Sequence, residues 1–208
     1  MSDPLWFSAG KALLSPFFRL VGWGHEKLQR PHIALRRAPK NLFEHVKPGI
    51  SVPRMREVLG VPHREEQGQY RYVFSEACVQ LDSEDETTVD AISVGLSTIS
   101  WRHRFRVWPM HFVLGKTTFR SVVEPEDKVE FDFSSKHYHF YVVKHFGFSG
   151  LYWSFALGVL ECPWVYPDHH HWSPTQQSRE QIPPEMKINW ASVTRSGVHP
   201  TFNYLGFL

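Results

Sequence analysis

At 208 residues, the chain has the length of one domain or two small ones. It is 42% hydrophobic, 15% aromatic and 21% charged, which supplies a real core and excludes the composition of a disordered chain. A net charge of +2 leaves no strong electrostatic footprint for nucleic acid, and the two cysteines are too few for a disulfide scaffold. Cys78 and Cys162 stand in apolar, strand-like surroundings and read as free thiols of a reducing, cytoplasmic compartment. The 13 histidines are a reserve of positive charge that appears as pH falls below about 6.5.

Residues 1–40 read as a helical lead-in followed by a basic connector punctuated by Pro31 and Pro39. The apolar opening, Leu5 to Val21, has no basic segment before it and is interrupted by Lys11 and Pro16. That argues against a cleaved signal and against a bilayer span, and for a helix packed on the body. Asn41 is placed to cap a short helix that Pro48-Gly49 ends. Ser51 opens another, with Pro53 in its first turn, Met55, Val58 and Leu59 at helical spacing, and Gly60 with Pro62 as the stop.

From Tyr70 the period changes to two. Tyr70, Tyr72 and Phe74 alternate with Arg71 and Val73, and Ala77, Val79 and Leu81 with Cys78, Gln80 and Asp82. Ser83 to Thr88 is an acidic turn, after which Ile92, Val94 and Leu96 resume the alternation, so an antiparallel hairpin is expected. Trp101 to Met110 interleaves Arg102, His103, Arg104 and Arg106 with aromatics and reads as a strand or a connector. Gly115 to Val122 then repeats a short helix, and Val129, Phe131 and Phe133 begin new strands. Tyr138, Phe140 and Val142 take the buried face of the next strand, leaving His137, His139 and Tyr141 on a more open one. After a turn at Gly147–Gly150, Leu151, Trp153, Phe155, Leu157 and Val159 form an apolar face. Tyr152, Ser154, Ala156 and Gly158 lie opposite, and the small residues there would allow a close approach or a curl of the sheet. Residues 166–208 read as an irregular tail rich in Pro, Gln, Ser and His, fastened by Phe202, Tyr204, Leu205, Phe207 and Leu208.

The expected fold is therefore α+β: antiparallel sheet with short helices, in two helix-then-strands modules at 41–104 and 105–165. Gly49-Ile-Ser51 leads to Val58-Leu-Gly-Val-Pro62, and Gly115-Lys-Thr-Thr118 leads to Val122, each before strands. This plan resembles the helix-helix-strand module of the β-lactamase inhibitory protein and of the small outer-membrane lipoproteins of barrel assembly. There a Gly-x-Ser/Thr turn opens a helix that ends near Leu-Gly-x-Pro. The second half departs at Val123-Glu-Pro125, which lacks the Gly, and no cysteine near the start offers a lipidation site. The resemblance implies tandem modules whose sheets present a concave protein-binding face, without catalysis.

No phosphate-binding loop, dinucleotide fingerprint, Cys-x-x-Cys pair, His-Glu-x-x-His or Gly-x-Ser-x-Gly is present. His137 and His139 share a strand face and could chelate an ion with a third ligand from elsewhere. His169 to His171 follow Asp168, but adjacent side chains seldom converge on one centre, and both sets read as ordinary imidazoles. No metal or cofactor is expected, and the reading leans away from an enzyme. The first functional expectation is an inhibitor or immunity protein that occludes a basic toxin or nuclease. Asp82, Glu84, Asp85 and Glu86 would supply the acidic contacts, and His137, His139, Tyr141 and Tyr152 an aromatic patch. The runner-up is a metal- or Cys-dependent enzyme using His137, His139 or Cys162. A nucleic-acid module at Arg102 to Trp108 comes third.

Overall fold

In the computed structural model, residues 35–39, 41–98, 105–133, 137–148, 151–162, 165, 179–195, 197–203 and 207 are described. The lead-in, the Asp168–His171 run, Trp101–Arg104 and the turn at 149–150 lie outside them. Two short helices open the described chain, α1 (Leu42–His45) and α2 (Val52–Leu59). Asn41 precedes α1 in the left-handed region, φ 56°, and its side chain caps nothing, so its role is the turn rather than the expected cap. Ser51 does cap α2, its hydroxyl accepting from Arg54 N–H at 3.4 Å.

Strands β1 (Arg64–Glu66), β2 (Gln69–Val73), β3 (Ala77–Asp82) and β4 (Ala91–Leu96) follow as an antiparallel meander. After the helical turn α3 (Phe119–Val122) comes a second meander, β5 (Glu130–Phe133), β6 (Tyr138–Phe148), β7 (Leu151–Glu161) and β8 (Trp190–Arg195). The two meanders meet along β4 and β8, giving one antiparallel sheet of eight strands in the order β1-β2-β3-β4-β8-β7-β6-β5. The sheet-rich α+β class is as expected. The irregular tail is not: its residues 190–195 form β8, in the middle of the sheet.

Main-chain hydrogen bonds seat each helix on the chain that enters the joining strand. Before α2 they run from Gly49 N–H to Val89 O (2.8 Å), Val89 N–H to Ile50 O (2.9 Å) and Val52 N–H to Thr87 O (2.8 Å). Before α3 they run from Gly115 N–H to Ile188 O (2.7 Å), Ile188 N–H to Thr117 O (3.0 Å) and Phe119 N–H to Met186 O (2.7 Å). Ser93 and Ser192, at the same step beyond Val89 and Ile188, are each other's partners across the β4–β8 seam.

The helix-side face carries the main core, with Tyr72, Phe74, Val79, Leu81, Ile92, Val94, Phe140, Val142, Phe155, Leu157 and Val193 all buried against Phe43, Met55, Leu59 and Phe119. Phe140 meets Phe119 edge-on at 5.1 Å. The alternation of apolar residues along β2, β3, β4, β6 and β7 is what aims this face at the helices. No helix among the described residues is long and apolar enough to cross a membrane.

Candidate functional site

The second face of the sheet is polar and largely buried. Arg71, Gln80, Ser93, Ser192, Ala156 and Val143 stand side by side from β2 to β6. The neighbouring row is Gln69, Asp82, Ala91, Thr194, Ser154 and His145. Buried polar groups need partners, and most have them here. Ser93 and Ser192 share a hydroxyl bond at 2.8 Å, Gln80 Nε2 donates to Asp82 at 2.9 Å, and His145 pairs with Ser154 at 3.1 Å. Burial raises the Asp82 carboxyl above its ordinary range, against the lowering effect of its bonds to Gln80 and Thr201. Arg71 is buried, bonded to Gln69 and 3.6 Å from Glu66, while its Nε has no hydrogen-bond partner.

Trp190 stands in β8 with a glycine on each side, Gly95 in β4 and Gly158 in β7. A Cβ at Gly158 would lie 2.1 Å from Phe140 O, and one at Gly95 would lie 2.5 Å from Val165, so both positions need a residue without a side chain. The buried indole meets His139 edge-on at 4.3 Å and Tyr141 at 5.6 Å. Leu160, Cys162 and Val165 complete a second, smaller apolar cluster. Desolvation, with a smaller push from His137, lowers the His139 pKa to about 3, so its imidazole is neutral in the fold. Among the described residues, neither His139 Nε2 nor Trp190 Nε1 has a hydrogen-bond partner.

One end of the sheet is built differently. There the β3–β4 loop raises Glu84, Asp85 and Glu86 into solvent. The pairing of Ala91 with Thr194, and of Thr194 with Ser154, puts the turn of the β6–β7 hairpin at the same end. The two loops are three strand spacings apart, about 14 Å. Near the hairpin's turn, Phe146 is 48% and Tyr152 45% exposed. Trp108 tilts against Trp153 at 6.2 Å, and Lys47 lies over both rings at 4.9 and 5.6 Å, a cation–π pairing.

The structure divides the expected contact residues. Glu84, Glu86 and Tyr152 are open and share the loop end. Asp82 is no part of a solvated tip, because its carboxylate lies in the second face, bonded to Gln80 and Thr201. Asp85 is exposed but staples its own loop. It accepts from Thr87 N–H and Thr88 N–H at 2.8 Å each and from Thr87 Oγ1 at 2.6 Å. The Thr87 hydroxyl foremost, with these amides, holds its carboxyl well below the usual carboxylate range. Asp85→Ala is therefore expected to lower the melting temperature, whereas Glu84→Gln with Glu86→Gln leaves it nearly unchanged. Thermal melts followed by circular dichroism check the difference.

The expected aromatic patch does not form either. His139 is buried under Trp190 rather than open, and His137 pairs with Asp132 at 3.2 Å. Tyr141 and Tyr152 share a face but are separated along the hairpin by six residue steps, about 20 Å. Among the described residues, no group of three or more His, Cys, Asp or Glu side chains is placed to hold a metal ion. Cys162 is buried in the second cluster. The residues that sequence reasoning missed are the polar ones of the second face. Arg71, Gln80 and Ser93 sit at the solvent phase of the alternation, and residues 201–203 lie across Gln80 and Ser93. No family model matches the chain, and no curated protein or solved structure matches it.

Proposed function

We propose that the chain is a non-catalytic protein-binding inhibitor, of the immunity-protein kind, that docks through the loop end of its sheet. The observation that carries this reading is the placing of an acidic loop and an exposed aromatic hairpin at one end. Acidic side chains in solvent steer a basic partner, and large aromatics beside them supply anchors once it has arrived. This suits a basic toxin or nuclease met in the cytoplasm, whose active site the loops would occlude. We also propose that the halves are tandem modules. Their matching helix-seating hydrogen bonds, and the Ser93–Ser192 pair about which the meanders are related, support this reading.

The test is affinity capture from the native host with identification by mass spectrometry, followed by binding kinetics. With the captured partner, Glu84→Gln/Glu86→Gln is expected to slow association, most at low salt, with little effect on dissociation. Tyr152→Ala is expected to speed dissociation. Rates equal to the parent's for both variants would remove the loop end as the docking site.

A further inference from the structure

We infer that the second face of the first meander is a seat for an extended peptide, filled by the chain's own residues 201–203 as an exchangeable occupant. This goes beyond the docking end proposed above and does not depend on it. After β8 the chain turns, Val198 N–H bonding back to Arg195 O at 3.1 Å, and crosses the face over β3 and β4. Ser93 Oγ donates to Thr201 O at 2.8 Å, Thr201 Oγ1 donates to Asp82 at 3.0 Å, and Asn203 N–H donates to Gln80 Oε1 at 2.7 Å. Between them Phe202 packs against the second apolar cluster, beside Val165 over Gly95, and stacks on Phe207 at 5.3 Å. The recognised chemistry is a main-chain carbonyl for Ser93, an aromatic ring for the apolar cluster that includes Val165 beside Gly95, and a main-chain N–H for Gln80. Two of those receiving side chains, Ser93 and Gln80, are fully buried.

Three features mark the occupant as replaceable. No β-ladder joins it to the sheet among the described residues, so it is held by side chains and one ring. Thr201 and Asn203 are exposed although the groups beneath them are not. When the seat is emptied Ser93 keeps Ser192 and Gln80 Nε2 keeps Asp82, so the bonds given up are those of Gln80 Oε1 and Asp82 to the segment, and water reaching the opened face replaces them. An extended partner segment offering a hydroxyl residue, an aromatic and a following N–H fits the same positions, and the internal segment competes with it.

The experiment uses a chain ending at Ser196 and a labelled peptide of residues 197–207, read by fluorescence anisotropy. The shortened chain is expected to bind the peptide and the full chain to bind it at least about tenfold more weakly, because its seat is taken. A peptide carrying Phe202→Ala is expected to lose about tenfold or more, as befits its aromatic anchor. A shortened chain that does not fold, one that folds and ignores the peptide, or a full chain that binds it equally well overturns the inference. In the full chain, Phe202→Ala is expected to speed amide exchange across 197–203 while β3 and β4 keep their protection. Loss of protection in β3 and β4 makes the segment part of the core and overturns it as well.

Discussion

As pH falls from 6.5 toward 3, the protein is expected to lose stability because its unfolded chain takes up a proton on His139 that the fold does not. His139 is neutral in the fold because burial lowers its pKa from 6.5 to about 3, and in the unfolded chain it titrates normally. The unfolded state therefore binds the proton first. The stability that neutral His139 brings is fully present above pH 6.5 and is lost as pH drops through the window down to about 3. At 1.36 kcal/mol per pH unit that window sets a ceiling of roughly 5 kcal/mol, comparable with the whole stability of a marginal domain. Asp82 works with the opposite sign, because a raised carboxyl pKa favours the fold as pH falls. The measurement is therefore a difference: urea unfolding of the parent and of His139→Phe at each pH. The variant is expected to flatten the acid limb, and parallel profiles would show that His139 titrates normally in the fold.

Replacing Trp190 by alanine is expected to cost about 3–5 kcal/mol, the range for truncating a large buried aromatic. The position leaves little room for collapse. The indole is wholly buried, its flanking residues in the sheet are glycines, and its ring contacts are His139 and Tyr141 on another strand. Trp190→Phe separates shape from chemistry. It keeps a ring for His139 and Tyr141 and removes a buried N–H that has no partner, a group that costs about 1–3 kcal/mol when left unsatisfied. Its loss of stability is expected to be clearly smaller than alanine's. Denaturant midpoints of the two variants decide this, and equal losses would mean that the indole N–H finds a partner in solution.

Six strands were legible because one of their faces obeys an apolar alternation: β2, β3, β4, β5, β6 and β7. β1 was not, since Arg64, Glu65 and Glu66 are all exposed and carry no apolar signal. β8 was hidden for the reverse reason. Trp190 to Thr194 are buried on both faces, and one face is Trp, Ser and Thr, so no polar-apolar contrast marks the strand. The same cause hid the second face. A polar residue at the outward phase of a strand reads as solvent-facing, and periodicity cannot register a segment lying across it. Among the candidate contacts, Glu84 and Glu86 are exposed, as charge in a polar turn predicts, and Tyr152 is exposed near the hairpin's turn. His139 and Asp82 were misjudged because their surroundings come from Trp190 and Thr201, more than fifty residues away in the chain.

The position of β8 has a consequence for how the protein is made. β8 is the last strand in chain order, and it fills the gap between β4 and β7. During synthesis both of those strands have left the ribosome, each with one unsatisfied row of amides and carbonyls, well before residues 190–195 emerge. Two half-sheets must wait with their inner borders open, a state prone to pairing with the wrong chain. The link that ends the wait joins residues nearly a hundred positions apart, a slow search in any polypeptide. Newly made chains would therefore be most vulnerable to aggregation until residues 190–195 emerge, and substitutions that weaken β8 should reduce yield in the cell more than they reduce the stability of molecules already folded.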